Sequence, residues 1–213
     1  MLIQRLAPLR LFGVDPGGPR WPMLVVNDGM MTIRPPVLDD YGAWTALRED
    51  SRSFLTPWEP IWPGDDLTKS SFRRRIKRYS AEIERDEAYP FFIFLDEGRR
   101  LVGGVTLGNI RRGAAQSGTL GYWMGVHYAG RGLMGHAVRM VCRLGFLALK
   151  LERIEAACLP DNDASIRLLT RVGFSQEGHA RAYLNIAGQR RDHICFALLA
   201  GDEIRPSVAS PRS

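Results

Sequence analysis

The stretch Tyr122–Val138, YWMGVHYAGRGLMGHAV, decides how this chain folds. It predicts a short strand, then a basic glycine-rich turn, then the first turn of an apolar helix. Three glycines, Gly130, Gly132 and Gly135, fall within six residues, and glycine lets the backbone come close to a ligand. A helix that begins there adds unpaired N–H groups and the positive end of its dipole. The stretch therefore predicts a phosphate-binding turn.

Three phosphate-binding templates compete for this turn. A Walker loop requires Lys-Ser/Thr after its last glycine, whereas Gly135 is followed by His136-Ala137. Residues 130–135 do spell the dinucleotide fingerprint G-x-G-x-x-G, and Glu155 lies 20 residues after Gly135. That fingerprint belongs directly after a buried strand of a βαβ unit, but His127-Tyr128-Ala129 intervene here and an antiparallel meander is expected before the strand. The third template is the turn that binds the diphosphate of coenzyme A.

The chain is expected to form one mixed α/β domain over residues 31–202. Residues 1–30 are interpreted as an irregular N-terminal extension, and residues 203–213 as a flexible Pro/Ser-rich tail. The patterns predict strands near 31–34, 91–95, 101–107, 118–125, 153–158, 174–179 and 193–199. They predict helices near 39–50, 68–84, 132–149 and 164–172, and a turn at 96–98.

Composition narrows the function classes. The chain is 45% hydrophobic and 24% charged, with a formal net charge of +6, as expected of an ordinary globular protein with an acidic ligand. No basic–aromatic module for nucleic acid is apparent, and no apolar run reaches the roughly 18 residues of a membrane span. Cys142, Cys158 and Cys195 are odd in number and widely spaced, which argues against a disulfide framework or a zinc site and fits a reducing compartment. We expect a cytoplasmic protein without a metal.

Three motifs in order resemble the GNAT superfamily of N-acetyltransferases: the strand and turn above, Pro160–Ser165 (PDNDAS) and Arg171–Phe174 (RVGF). The resemblance covers residues 31 to about 200. It extends to the RimJ/RimL branch, the ribosomal-protein-alanine N-acetyltransferases, through four cues. They are Arg34-Pro35, Leu55–Pro60 (LTPWEP), Gly132–Met134 (GLM) and Ala182–His193 (AYLNIAGQRRDH). Ala129 departs from the superfamily turn, which carries a polar side chain at that position.

The resemblance implies an acyl-CoA N-acyltransferase fold. Its central sheet would be twisted and mostly antiparallel, with a splayed pair of parallel strands at 118–125 and 153–158 and helices on both faces. It also implies acetyl-CoA as cosubstrate. The implied cofactor-binding residues are Met124, Gly125, Val126, Gly130, Arg131, Gly132, Leu133, Met134, Gly135, Asn162 and Ser165. Structural roles are open for several of them, since Asn162 also suits a helix N-cap and Met124 and Val126 suit strand core.

Two residues are catalytic candidates. Tyr183 lies nine residues after Phe174, where GNAT enzymes commonly carry a tyrosine that protonates the coenzyme A thiolate, and a phenol with a pKa near 10 suits that role. Glu59 could receive the substrate ammonium or its proton, or could be a solvated loop acid. His127 is a weaker candidate base. Cys158 is not expected to be a nucleophile because no base lies beside it in the sequence.

The expected activity is direct transfer of an acetyl group from acetyl-CoA to a primary amine, preferably the N-terminal α-amine of a ribosomal or other protein. Two alternatives stay open: an acetyltransferase for lysine, polyamine or antibiotic amines, and a silent acyl-CoA-binding module. Residues 73–78 (RRRIKR) form a basic helix face, which is either a solvated surface or a contact with an acidic ribosomal surface.

Overall fold

A computed structural model describes residues 24–96 and 98–206. The strands are β1 Val26–Asn27, β2 Thr32–Arg34, β3 Tyr89–Leu95, β4 Arg100–Arg111, β5 Ser117–Met124, β6 Arg153–Cys158, β7 Ser175–Ile186 and β8 Gln189–Leu199. The helices are α1 Tyr41–Asp50, α2 Arg52–Leu55, α3 Lys69–Glu84, α4 Leu133–Leu147 and α5 Asp163–Val172. Short 3-10 turns occupy Leu38–Asp40, Thr56–Trp58 and Val126–Tyr128.

The eight strands form one sheet in the order β1-β2-β3-β4-β5-β6-β8-β7. Only β5 and β6 run parallel, and their pairing ends at Leu120 opposite Ala156. Beyond that point β5 stays paired with β4 as far as Met124, while β6 stays paired with β8 as far as Cys158. The two strands therefore diverge at their carboxyl ends, and the predicted mostly antiparallel sheet with a splayed parallel pair is confirmed.

Helices cover both faces of the sheet. Strand β3 carries apolar side chains on both faces, so each face needs a packing layer. Successive strand residues point to opposite faces, and β3 reads YPFFIFL. Phe91 and Ile93 join the larger core, to which α4 and α5 contribute. Phe92 and Phe94 pack instead with Trp44 of α1 and Phe72 of α3. Trp123 of β5 also packs against this second, smaller core.

The late part of the domain differs from the prediction. The sequence predicts the two late strands only over 174–179 and 193–199, but β7 and β8 form one long hairpin joined by Ala187-Gly188. Both turn residues have positive φ (48° and 83°), as tight hairpin turns require. The strand pattern is hidden because β7 is an edge strand with almost every side chain exposed. An edge exposed on both faces has no apolar alternation to read.

The domain ends are better defined than the sequence suggests. Val26 is buried and pairs with Ile33, so the sheet begins inside the segment expected to be irregular. At the other end the Arg205 N–H donates to the Val172 carbonyl at 2.9 Å. The rest of the predicted extension (1–23) and tail (207–213), together with Glu97 of the predicted 96–98 turn, lies outside the described residues. Within those residues no helix combines the length and apolarity that crossing a membrane requires.

Candidate active site

The divergence of β5 and β6 opens beside Met124, Gly125 and Val126. Gly125 donates its N–H to the Val102 carbonyl at 2.9 Å, and Val126 donates to the Ser51 Oγ at 3.0 Å. Ser51 is completely buried at the end of α1. An extended ligand that pairs with the Val126 amide must therefore replace a bond to Ser51, a residue that sequence reasoning missed because a serine between two short helices carries no motif.

The glycine turn presents backbone toward solvent. Gly130 and Gly132 have φ of 74° and 75° and are exposed, and no protein atom lies within 4 Å of a Cβ built on either. Gly132 is the N-cap of α4, so the first N–H groups of the helix have no intrahelical partners. Met134 and Gly135 are buried behind the turn, and Leu133 is partly buried. The exposed guanidinium of Arg131 lies 5.9 Å from the Tyr128 ring centroid.

Asn162 and Ser165 meet at the start of α5. The Asn162 Oδ1 accepts the Ser165 N–H at 3.0 Å, so Asn162 is the helix N-cap. The Ser165 side chain interacts with the phenol of Tyr122, which reaches toward it from the diverging end of β5. Burial raises the pKa of Tyr122, and the hydrogen bond with Ser165 acts in the opposite direction. Sequence reasoning did not identify Tyr122 as a site residue, because an aromatic residue within a strand is usually explained by packing.

We predict that Asn162→Ala lowers the free energy of unfolding by about 1 kcal/mol, the usual cost of an N-cap. For a chain of this length that is roughly 2–4 °C in Tm. Asn162→Asp keeps an oxygen in the capping position and should melt within about 1 °C of wild type. Thermal melting gives the change in Tm that results from losing the cap. Calorimetric titration with acetyl-CoA gives the change in affinity if the Asn162 amide group also contacts the cosubstrate. An unchanged Tm in Asn162→Ala would refute the capping role.

Tyr183 lies on β7, beyond the predicted end of the strand at residue 179. The pairing of β7 with β8 is irregular between Ala180 and Leu184, and Ala182 has a φ of 47°. Irregularities of this kind redirect side chains at functional sites. Tyr183 keeps 46% of its surface exposed, and its ring meets the buried His193 edge-on at 5.7 Å between centroids. The phenol is therefore held from one side and open on the other.

Glu59 is not a solvated loop acid. Its two oxygens accept hydrogen bonds from the two terminal nitrogens of Arg48 at 2.8 and 2.6 Å. Trp62 donates its indole N–H to the same carboxylate at 2.7 Å. The Glu59 carbonyl accepts from the Ala187 N–H at 2.9 Å. The Trp58–Pro63 loop is thereby fastened both to α1 and to the tip of the β7–β8 hairpin.

His127 and Cys158 are the weaker candidates. His127 is exposed in the turn after β5. Burial raises the pKa of the Cys158 thiol to about 11, and the nearby Cys195 adds to that rise, so Cys158 stays a protonated thiol at neutral pH and is a poor nucleophile.

The basic run on α3 is partly compensated by nearby carboxylates. Arg74 pairs with Asp65 at 2.6 Å, and Arg78 with Glu82 at 3.4 Å. Arg75 is half-buried, pairs with Asp66 at 2.5 Å and lies 5.1 Å from the Trp44 ring.

Comparisons with known proteins agree with this geometry. A family model described as an acetyltransferase (GNAT) domain matches residues 31–175. The chain is 38% identical over 171 residues to the probable N-acetyltransferase YjcK of Bacillus subtilis (strain 168), covering 80% of this chain and 94% of that protein. It is 33% identical over 168 residues to the [ribosomal protein uS5]-alanine N-acetyltransferase of Escherichia coli (strain K12), covering 78% and 87%.

Solved structures give the same answer. Mycobacterium smegmatis RimJ in complex with CoA-disulfide superposes with a TM-score of 0.76 at 34% identity, covering 80% of this chain and 82% of that one. The diverging strands, the glycine turn and the family match all point the same way. The chain belongs to the GNAT acetyltransferases, and within them it is an N-acetyltransferase of the RimJ-like branch.

Proposed function

We propose that this enzyme transfers the acetyl group of acetyl-CoA to the N-terminal α-amine of a ribosomal protein, in the cytoplasm. The observation that carries the proposal is the divergence of β5 and β6 beyond Leu120 and Ala156, with the exposed glycine turn following β5. The printed activity of the Escherichia coli relative, acetylation of an alanine on ribosomal protein uS5, supports this acceptor class.

The glycine turn suits the diphosphate of coenzyme A. Exposed backbone at Gly130 and Gly132 and the free N–H groups that open α4 form an anion site. Arg131 is free to add a charge-assisted hydrogen bond. Leu133 and Met134 would contribute through their backbone, since their side chains pack in the core, and Gly135 has only backbone to offer. Met124 and Val126 would hold the pantetheine arm by main-chain bonds, with Asn162 and Ser165 beside it.

Acetyl-CoA supplies the activated acyl group, and the protein supplies positioning and proton transfer. Tyr183 would donate its phenolic proton to the departing thiolate. An α-amine with a pKa of about 7.7–8 is substantially neutral near physiological pH, unlike a lysine amine at about 10.4. Glu59 already accepts three hydrogen bonds from Arg48 and Trp62, which occupy most of the lone pairs of its carboxylate. We therefore assign Glu59 to shaping the acceptor side and the deprotonation of the amine to water.

A turnover assay tests the acceptor class. The enzyme is incubated with acetyl-CoA and synthetic peptides that match ribosomal-protein N-termini, and thiol release and peptide mass are followed. We expect release together with a mass gain of one acetyl group on the free α-amine, and none on the same peptides blocked at that amine. Release only with lysine, polyamine or antibiotic amines would favour the other acceptors. Binding of acetyl-CoA without release would favour a silent module.

The direct mechanism has its own readout. Rapid quenching during turnover followed by intact-protein mass spectrometry should show no acetylated enzyme, because the amine attacks the thioester within the ternary complex. In cells, intact-mass proteomics on a deletion strain should reveal the ribosomal protein whose N-terminus loses one acetyl group. A ribosomal proteome with unchanged N-termini would contradict the proposed acceptor.

A further inference from the structure

Arginines and tryptophans interleave where the Trp58–Pro63 loop meets the sheet. Arg48 is only 7% exposed, and its guanidinium lies 4.0 Å from the Trp62 ring centroid and 4.9 Å from that of Trp123. Trp123 directly precedes Met124 on β5, and its indole packs over Gly104, where a Cβ would collide with it. The loop that borders the acceptor is thus stacked on the strand expected to hold the donor.

Two of the three arginines that lie against tryptophan rings here have a carboxylate partner, and within the ranges that the structure describes the third does not. The Arg48 guanidinium is matched by Glu59 at 2.6 Å, and the Arg75 guanidinium by Asp66 at 2.5 Å. Arg52, four residues after Arg48, also stacks on Trp62, at 4.9 Å from the ring centroid. Arg52 is exposed, and no carboxylate among residues 24–96 and 98–206 pairs with it. Arg52 is therefore an exposed cation held against Trp62 without a carboxylate partner in the described part of the chain.

The facing hairpin adds a second cation without a carboxylate partner. Ala187 bonds the Glu59 carbonyl, and the Ile61 side chain lies against Gly188, so the hairpin tip and the loop form one continuous wall. Arg190, next to this tip, donates to the Tyr183 carbonyl at 3.0 Å, and no side-chain carboxylate in the described part of the chain pairs with it. The loop side and the hairpin side of this wall therefore each carry an arginine without a carboxylate partner among the described residues, Arg52 beside Trp62 and Arg190 beside the hairpin tip.

The geometry points to Arg52 as a specificity-determining residue. It selects acceptor chains that carry an acidic side chain within the first few residues after the reacting amine, and it disfavours polycationic amines. This inference rests on the proposed function. A guanidinium stacked on an indole is held in place, so it can pair with a carboxylate with less loss of side-chain freedom than a mobile lysine. The same positive field repels polyamines and favours the neutral, nucleophilic form of an entering amine.

Matched peptides test the inference. Two series share an N-terminal alanine and length and differ only in Glu or Lys at the second and third positions. For the full-length wild-type enzyme we expect kcat/KM to favour the acidic series by about fivefold, the order of one exposed ion pair. The preference should shrink markedly in 0.5 M salt, because exposed charges are screened over a few ångströms there. Arg52→Glu should invert the preference, and Arg52→Gln should nearly abolish it.

Arg73→Glu is the control, since Arg73 is exposed on α3 and the same charge change is made away from the Trp62 stack. It should keep the wild-type ratio. Equal turnover of both series by the wild type, or an unchanged ratio in Arg52→Glu, would overturn the role of Arg52 while leaving the proposed function standing. Absence of turnover with every peptide would overturn the proposed function and this inference with it.

Discussion

Tyr183→Phe should turn over about 10²-fold more slowly than wild type, while its affinity for acetyl-CoA stays within about twofold. The substitution removes one oxygen from a half-exposed side chain whose ring is held by His193, so the fold loses almost nothing. What is lost is the proton offered to the leaving thiolate, and a positioned acid contributes typically 10²–10⁴-fold to rate. Steady-state kinetics with a reactive peptide give kcat, and calorimetry gives the affinity.

Tyr41→Phe is the matched control. The Tyr41 hydroxyl donates to the Leu67 carbonyl at 3.1 Å, in the layer of α1 and α3 and away from the β7–β8 hairpin. That variant should lose a little stability, on the order of 1 kcal/mol for one hydrogen bond, with kcat unchanged. Equal turnover by Tyr183→Phe and wild type would remove the acid assignment and leave solvent to protonate the thiolate.

Arg48→Met should cost about 3 kcal/mol of the free energy of unfolding. Methionine keeps apolar bulk beside the indole rings of Trp62 and Trp123. The substitution leaves the Glu59 carboxylate, whose side chain is only 21% exposed, without its cationic partner. Removing one partner of a buried pair typically costs 3–5 kcal/mol, and the lower end applies because Glu59 keeps some access to water. For a chain of this size the loss corresponds to a fall in Tm of roughly 6–12 °C. Thermal or urea unfolding measures it.

Two further variants locate the cause of that loss. Arg74→Met breaks an ion pair whose side chains are 64% and 55% exposed, so it should cost at most about 1 kcal/mol. The double variant Arg48→Met/Glu59→Gln removes both buried charges and should be more stable than Arg48→Met alone. A double variant that is no more stable than Arg48→Met would mean that packing of the guanidinium on Trp62 and Trp123, and not the stranded charge, dominates.

Local sequence was sufficient to predict those elements whose conformation depends only on their own residues. The glycine turn, the strand at 153–158 and the helix closed by Gly173 require only backbone freedom, strand alternation and a C-terminal glycine. The 118–125 strand was found with its bounds shifted by one residue. The β7–β8 hairpin was underestimated because its edge strand exposes nearly every side chain. No local pattern remains when neither face is buried.

The candidate site likewise has one part that local sequence predicts and one part that depends on tertiary packing. The sequence by itself predicted the donor half, because glycines followed by a helix start are the local features of an anion-binding turn. Only the tertiary structure decided the acceptor half. Residues 48, 59, 62, 123 and 187 are far apart in the chain, and their bonds exist only once α1, the loop, β5 and the hairpin have packed. The charge that remains on Arg52 is likewise a property of the assembled cluster, since it depends on which arginines find a carboxylate.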